Sequence, residues 1–149
     1  MAANIQPIYT RTSDLQLAGS VLGTTATVAT DGTGAGLALI FTADATEGSY
    51  VQKVILKTIS TIPLTVVRIW YCSATGAYTA GTTNTAANTT MICEQTIVAF
   101  TASNTTASVQ YEVPIMLHLP ASTKLLISFG TSTGASTTGF NPLTVAGKY

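Results

Sequence analysis

No stretch of ten or more residues in this chain carries apolar side chains at the i, i+3, i+4, i+7 spacing that buries one side of a helix. Short runs rich in Val, Ile, Thr and aromatics recur instead, separated by Gly, Asn, Ser and Pro clusters. That pattern predicts an all-β protein. The runs place strands near residues 24–30, 37–42, 50–59, 64–72, 91–100, 109–117, 124–130 and 143–146, eight in all. In YVQKVILKTI, Tyr50, Val54 and Leu56 are expected on one face and Lys53 and Lys57 on the other, so one face meets a core. In LTVVRIWYC both alternating sets are bulky and only Arg68 interrupts, which predicts cover on both sides: a sheet on one, a loop or neighbouring subunit on the other.

Eight short strands suit a two-sheet β-sandwich of jelly-roll type, although the order of strands in the sheets is not readable. Turn chemistry falls between the runs, at Asp31-Gly32, Gly34, Glu47-Gly48 and between Gly130 and Gly139. With 149 residues the chain makes one domain. Residues 1–14 read as an extended arm able to span up to ~45 Å, and residues 15–149 as the sandwich. The start, MAANIQPIYTRTSD, has neither a basic nor an apolar leader segment, so synthesis in a cytoplasm is expected, or the chain is a processed form.

Only 8% of residues are charged, against roughly 25% in an average soluble domain. Six Lys or Arg balance six Asp or Glu. Such a surface offers no electrostatic footprint for nucleic acid or an anionic membrane, and neither is expected as a partner. Mean hydropathy is +0.41, yet the apolar runs stay far short of the ~18 residues that a spanning helix needs.

The groups that could carry chemistry do not assemble into a recognisable site. His118 is the only histidine and sits in PIMLHLP, so it reads as a strand-end residue. One histidine and two distant cysteines, Cys72 and Cys93, make no zinc site; the two thiols could face each other on adjacent strands but read as separate buried thiols. Glu94 and Glu112 could form a glycosidase pair in neighbouring strands, but pairing with Lys53, Lys57 or Arg68 is the better reading. Asp44 and Glu47 in DATEG lack the dense acids of a calcium loop and read as a turn. DGTGAG (31–36) lacks the following helix of a phosphate loop and reads as a hairpin turn. Asn88-Thr-Thr and Asn104-Thr-Thr match the glycosylation pattern but read as loop residues. No catalytic residue, cofactor, metal or small-molecule substrate is expected.

What stands out is a surface almost without charge. Residues 75–90, TGAYTAGTTNTAANTT, form a long charge-free connection, and exposed sheet edges are usually guarded by Lys, Glu or Pro. Scarce guards predict edges covered in an assembly, with Thr75–Thr90, and Tyr78 and Thr82 within it, as the candidate subunit contact.

The segments FTADATEGSYVQKVILK (41–57), LPASTKLLISFGTS (119–132) and TVAGKY (144–149) resemble a group of small virion structural proteins that tailed bacteriophages encode near their capsid genes. The likeness spans the chain from about Phe41 onward. It implies a head decoration or cement protein with a jelly-roll-like sandwich, bound to the major capsid protein on the capsid exterior and self-associated, as a homotrimer on threefold lattice sites. The shared motifs are turns and strand starts and carry no catalytic residues. The alternative is a carbohydrate-binding or other binding module of a phage tail, neck or fibre, for which Trp70, Tyr71, Tyr78 and Tyr111 are the aromatic donors to consider.

Overall fold

The computed structural model describes residues 11–18, 30–132 and 139–149. Among them are eight strands and no helix: β1 (Thr12–Leu17), β2 (Ala38–Thr42), β3 (Ser49–Thr58), β4 (Thr65–Cys72), β5 (Thr89–Ile97), β6 (Gln110–Leu119), β7 (Lys124–Phe129) and β8 (Phe140–Lys148). They form two four-stranded antiparallel sheets, one ordered β1-β8-β3-β6 and the other β2-β7-β4-β5. The chain is thus a two-sheet β-sandwich. Four of its pairings, β1 with β8, β2 with β7, β3 with β6 and β4 with β5, join strands nested symmetrically about the β4–β5 connection. The chain therefore runs as one long antiparallel ribbon wrapped across two sheets.

Alternation puts Val51, Val54 and Leu56 of β3 and Val113 of β6 against Val67 and Ile69 of β4 and Leu125, Ile127 and Phe129 of β7. Phe129 and Phe140 stack across the two sheets with ring centroids 4.8 Å apart and planes 4° from parallel. β7 is buried at every position, because its second face is covered as well. On that side Trp70, Cys72, Leu126 and Leu37 form a smaller core outside the sheet, packed by Tyr78, Met91, Leu39 and Ala74. The double cover expected for LTVVRIWYC is present, and the cover is the chain's own loop.

Two sequence expectations change, the arm boundary and the facing of Tyr50. The expected strand 24–30 lies outside the described residues except Thr30, which is in a bend. A different strand, β1, opens the sheet. It escapes periodicity analysis because its alternation is inverted: Asp14 is buried and Gln16 half-buried toward the interior, while Leu15 and Leu17 face out. The expected arm boundary at residue 14 consequently falls inside β1, and Arg11 N–H already donates to Lys148 O at 2.7 Å; residues 1–10 lie outside the described residues.

Tyr50 does not share the core face with Val54. The register to both β6 and β8 shifts between Val51 and Lys53, and one extra residue exchanges the two faces of a strand. Tyr50 therefore faces outward, where its hydroxyl lies 3.2 Å from Met116 Sδ.

Candidate interaction surface

The charge-free connection between β4 and β5 is tied to the rest of the chain through Tyr78, Asn84 and Asn88, while Thr75, Thr79, Thr82 and Thr85 are exposed. Asn84, 2% exposed, donates from Nδ2 to Gly32 O at 2.9 Å and Gly34 O at 3.1 Å. Its Oδ1 accepts from Gly81 N at 2.8 Å and from the Tyr78 hydroxyl at 3.1 Å. The same hydroxyl donates to Leu37 O at 2.7 Å, and burial, reinforced by nearby Cys72, pushes the Tyr78 phenol up to about 12. Asn88 repeats the device, accepting from Thr85 N and Thr89 Oγ1 and donating to Thr83 O. Beneath the loop, the buried Lys124 ammonium donates to Ala74 O at 2.6 Å and Ser122 O at 3.1 Å. Small hydroxyls and amides close such a network at short range, and the Lys124 charge beneath it is held by backbone carbonyls in place of a counter-charge.

The DGTGAG turn belongs to this arrangement. Gly32 has φ +81°, and a Cβ there would lie 2.7 Å from Thr89 O. The segment is a docking turn for Asn84 more than a hairpin between strands. In the same way DATEG is an Asp-capped turn: Asp44 Oδ1 accepts from Thr46 N and Glu47 N at 2.9 and 3.1 Å, and those bonds hold its pKa below the usual carboxylate value.

The remaining chemical candidates stay apart. Glu94 pairs with Arg68 at 2.8 Å on the outside of one sheet, and Glu112 pairs with Lys53 at 2.7 Å on the outside of the other. The sandwich separates the two carboxylates. His118 is exposed on β6, with its ring 4.9 Å from that of Tyr149. Cys72 and Cys93 are both free; Cys72 lies opposite Thr89 and Cys93 opposite Ile69. Cys72 packs in the outer cluster and Cys93 against the main core, so they occupy opposite faces of one sheet. Burial raises the Cys93 thiol pKa. Asn88 is half-buried and Asn104 is exposed in the loop after Phe100.

Among the described residues, two features stand out as open to a partner. A hollow of about 560 Å³ lies between Ile59, Ser60, Phe100 and the loop of Ser103, Asn104 and Thr106, with no ionisable side chain in its lining. The second is the β1–β8 end of the outward face of the β1-β8-β3-β6 sheet, bordered on β3 by Lys53 and Lys57. Leu15 is 59% and Leu17 67% exposed, and register sets Leu15 beside Val145 and Leu17 beside Leu143, with Ile55 next in the row. Sequence reasoning missed this face because β1 itself was missed.

Comparisons with protein families, with characterised proteins and with solved structures find no match to this chain. What the fold and surface define is a charge-poor β-sandwich whose described residues present an uncharged β1–β8 patch and a neutral hollow.

Proposed function

We propose that this protein is a virion structural protein of a tailed bacteriophage: a decoration or cement protein that binds the outer surface of the head and stabilises it. The observation that carries the reading is the apolar, charge-free outward surface of β1 and β8 on a domain whose titratable groups are scattered. The resemblance of residues 41–57, 119–132 and 144–149 supplies the phage context, and the wrapped-ribbon strand order supports reading the sandwich as a jelly roll. The partners would be the major capsid protein and further copies of the chain, as a homotrimer. A protein that binds only the assembled lattice stabilises it by mass action, without turnover chemistry. Contacts made by neutral groups also depend weakly on salt, whereas charge pairs are screened.

The test is to add the purified protein to capsids that lack it. Tight binding that survives high salt, with raised heat resistance of the particle, is expected; capsids that neither bind it nor gain resistance refute the reading. A sugar-binding module is the second reading, favoured by the uncharged hollow beside Phe100. Against it, Trp70 is fully buried, its Nε1–H donating to Ser128 Oγ at 2.8 Å. Tyr78 is tied into the loop network, and Tyr71 and Tyr111 pack on the core. Glycan titration followed by amide chemical shifts around Asn104 separates the two.

A further inference from the structure

We infer that the end of the sandwich built by residues 59–64 and 98–108 is the face that docks on the capsid, and that it receives an uncharged protein surface projecting an aromatic side chain into the hollow beside Phe100. The inference rests on the reading above and names the contact surface within it.

Register gathers this surface from separate parts of the chain. The Ile62–Phe100 bridge continues the Thr65–Ile97 pairing beyond the ends of β4 and β5, which sets Leu64 beside Val98. Leu64 is 61%, Val98 58% and Ile59 44% exposed. No Asp, Glu, Lys, Arg or His occurs in residues 59–64, 98–109 or 130–132. Lys57, exposed on β3 opposite Gln110 and Asn141, stands at the rim and marks where the neutral end gives way to the sheet face. Ion pairs sit at the other end of the strands: Arg11 with Glu47, and Lys148 with Asp44 at 3.4 Å, with His118 against Tyr149 nearby. The domain is therefore polarised along its strands.

That polarity fixes the chemistry of the partner. A charge pressed onto the neutral end would lose its water and meet no counter-charge, so the surface that covers it must be uncharged. Covering the loops strands few donors, because their hydroxyls already serve the backbone. Thr61 Oγ1 accepts from Ala102 N at 2.9 Å, Ser103 Oγ from Thr105 N at 3.1 Å and Ser60 Oγ from Gly139 N at 3.2 Å. The hollow of about 560 Å³ has Ile59 and Phe100 as its apolar wall and small polar residues on the opposite side. An aromatic side chain brings ~150–250 Å² of surface to such a pocket, and a buried aromatic anchor is the usual energetic centre of a protein interface. The three exposed aliphatic groups around the hollow favour this occupant over a polyhydroxyl ligand.

The test is binding of the purified full chain to capsids that lack it, comparing wild type with the paired substitution Leu64→Lys and Val98→Lys and, on the β4–β5 loop at the opposite end, with Thr82→Lys. All three positions are exposed, so melting temperatures should match wild type. The pair is expected to weaken binding more than about thirtyfold, the loss of one central contact, and Thr82→Lys to leave it unchanged. Hydrogen exchange of the wild-type chain on the particle should slow at residues 59–64 and 98–108, and this footprint decides alone if the pair fails to fold. Wild-type affinity in the pair, loss of binding with Thr82→Lys, or slowed exchange confined to residues 75–90 overturns the inference and leaves the proposed function standing. A wild-type chain that does not bind capsids refutes both. Self-association of the free chain that the lysine pair abolishes, or glycan-induced shifts at Asn104, also overturns the inference, assigning this end to a second copy or to a sugar.

Discussion

Replacing Asn84 by Ala asks whether the uncharged β4–β5 loop is an internal cap. The side chain is 2% exposed and links three segments: the loop itself at Gly81, the turn at Gly32 and Gly34, and Tyr78. The Tyr78 hydroxyl has a single proton and a shorter bond to Leu37 O, so its bond to Asn84 counts only in part. Three full hydrogen bonds at a net ~1 kcal/mol each give a loss of about 3 kcal/mol, since their partners are left poorly solvated. For a chain of this size ~1 kcal/mol moves the melting temperature by about 3 °C, so Asn84→Ala should melt roughly 10 °C lower. Asn84→Asp should be worse than Ala despite equal size, because it turns a carboxylate oxygen toward the Gly32 and Gly34 carbonyls. Calorimetry gives the melting shift, and Trp70 fluorescence reports the cap directly, because the indole lies beneath it. A shift below about 2 °C, with unchanged fluorescence, would refute the reasoning and return the loop to the role of a solvated contact surface.

Gly48 has φ +79°, and a Cβ there would lie 2.3 Å from Leu119 O, so Gly48→Ala should cost more than about 2 kcal/mol in denaturant unfolding. Asp31, Asp44 and Glu112 all have depressed pKa values, from hydrogen bonds of Thr33 to Asp31, of Thr46 and Glu47 to Asp44, and of Lys53 to Glu112. Their stabilisation is therefore complete above the ordinary values of 3.8 and 4.5 and is lost as pH falls through the lower folded values. Melting temperature should stay flat from neutral pH down to that range and then fall, and Glu112→Gln should remove part of the slope. Cys72, fully buried, should react with a thiol reagent only on unfolding and the half-buried Cys93 sooner, and reductant should leave the melting temperature unchanged; a melting temperature lowered by reductant would contradict their placement on opposite faces of the sheet.

The sandwich was legible where alternation and burial agree. β4 and β7 read as strands because each is apolar on both sides, and both sides turned out to be covered. β1 was illegible because Asp14 and Gln16 point inward, satisfied by Ser49 and Thr42, while its leucines point out. Tyr50 was misassigned because a bulge exchanges the faces of a strand and leaves no mark in composition. Residues 75–90 were read as unusual because they carry no charge. Part of that character serves the chain itself, since Tyr78 and Asn84 tie the loop to Leu37 and Gly32 and Asn88 closes it locally, while Thr75, Thr79, Thr82 and Thr85 stay exposed; Leu15, Leu17, Leu143 and Val145 add a second uncharged surface that the sequence pattern hid.

The most direct test of the proposed function is quantitative mass spectrometry of purified particles from a tailed phage that encodes this chain, before and after stripping its decoration proteins. The account predicts the protein in a fixed ratio to the major capsid protein, in threefold multiples, lost from the head on stripping and restored by adding purified protein. Its absence from intact particles, or its presence only in the tail fraction, would contradict the account.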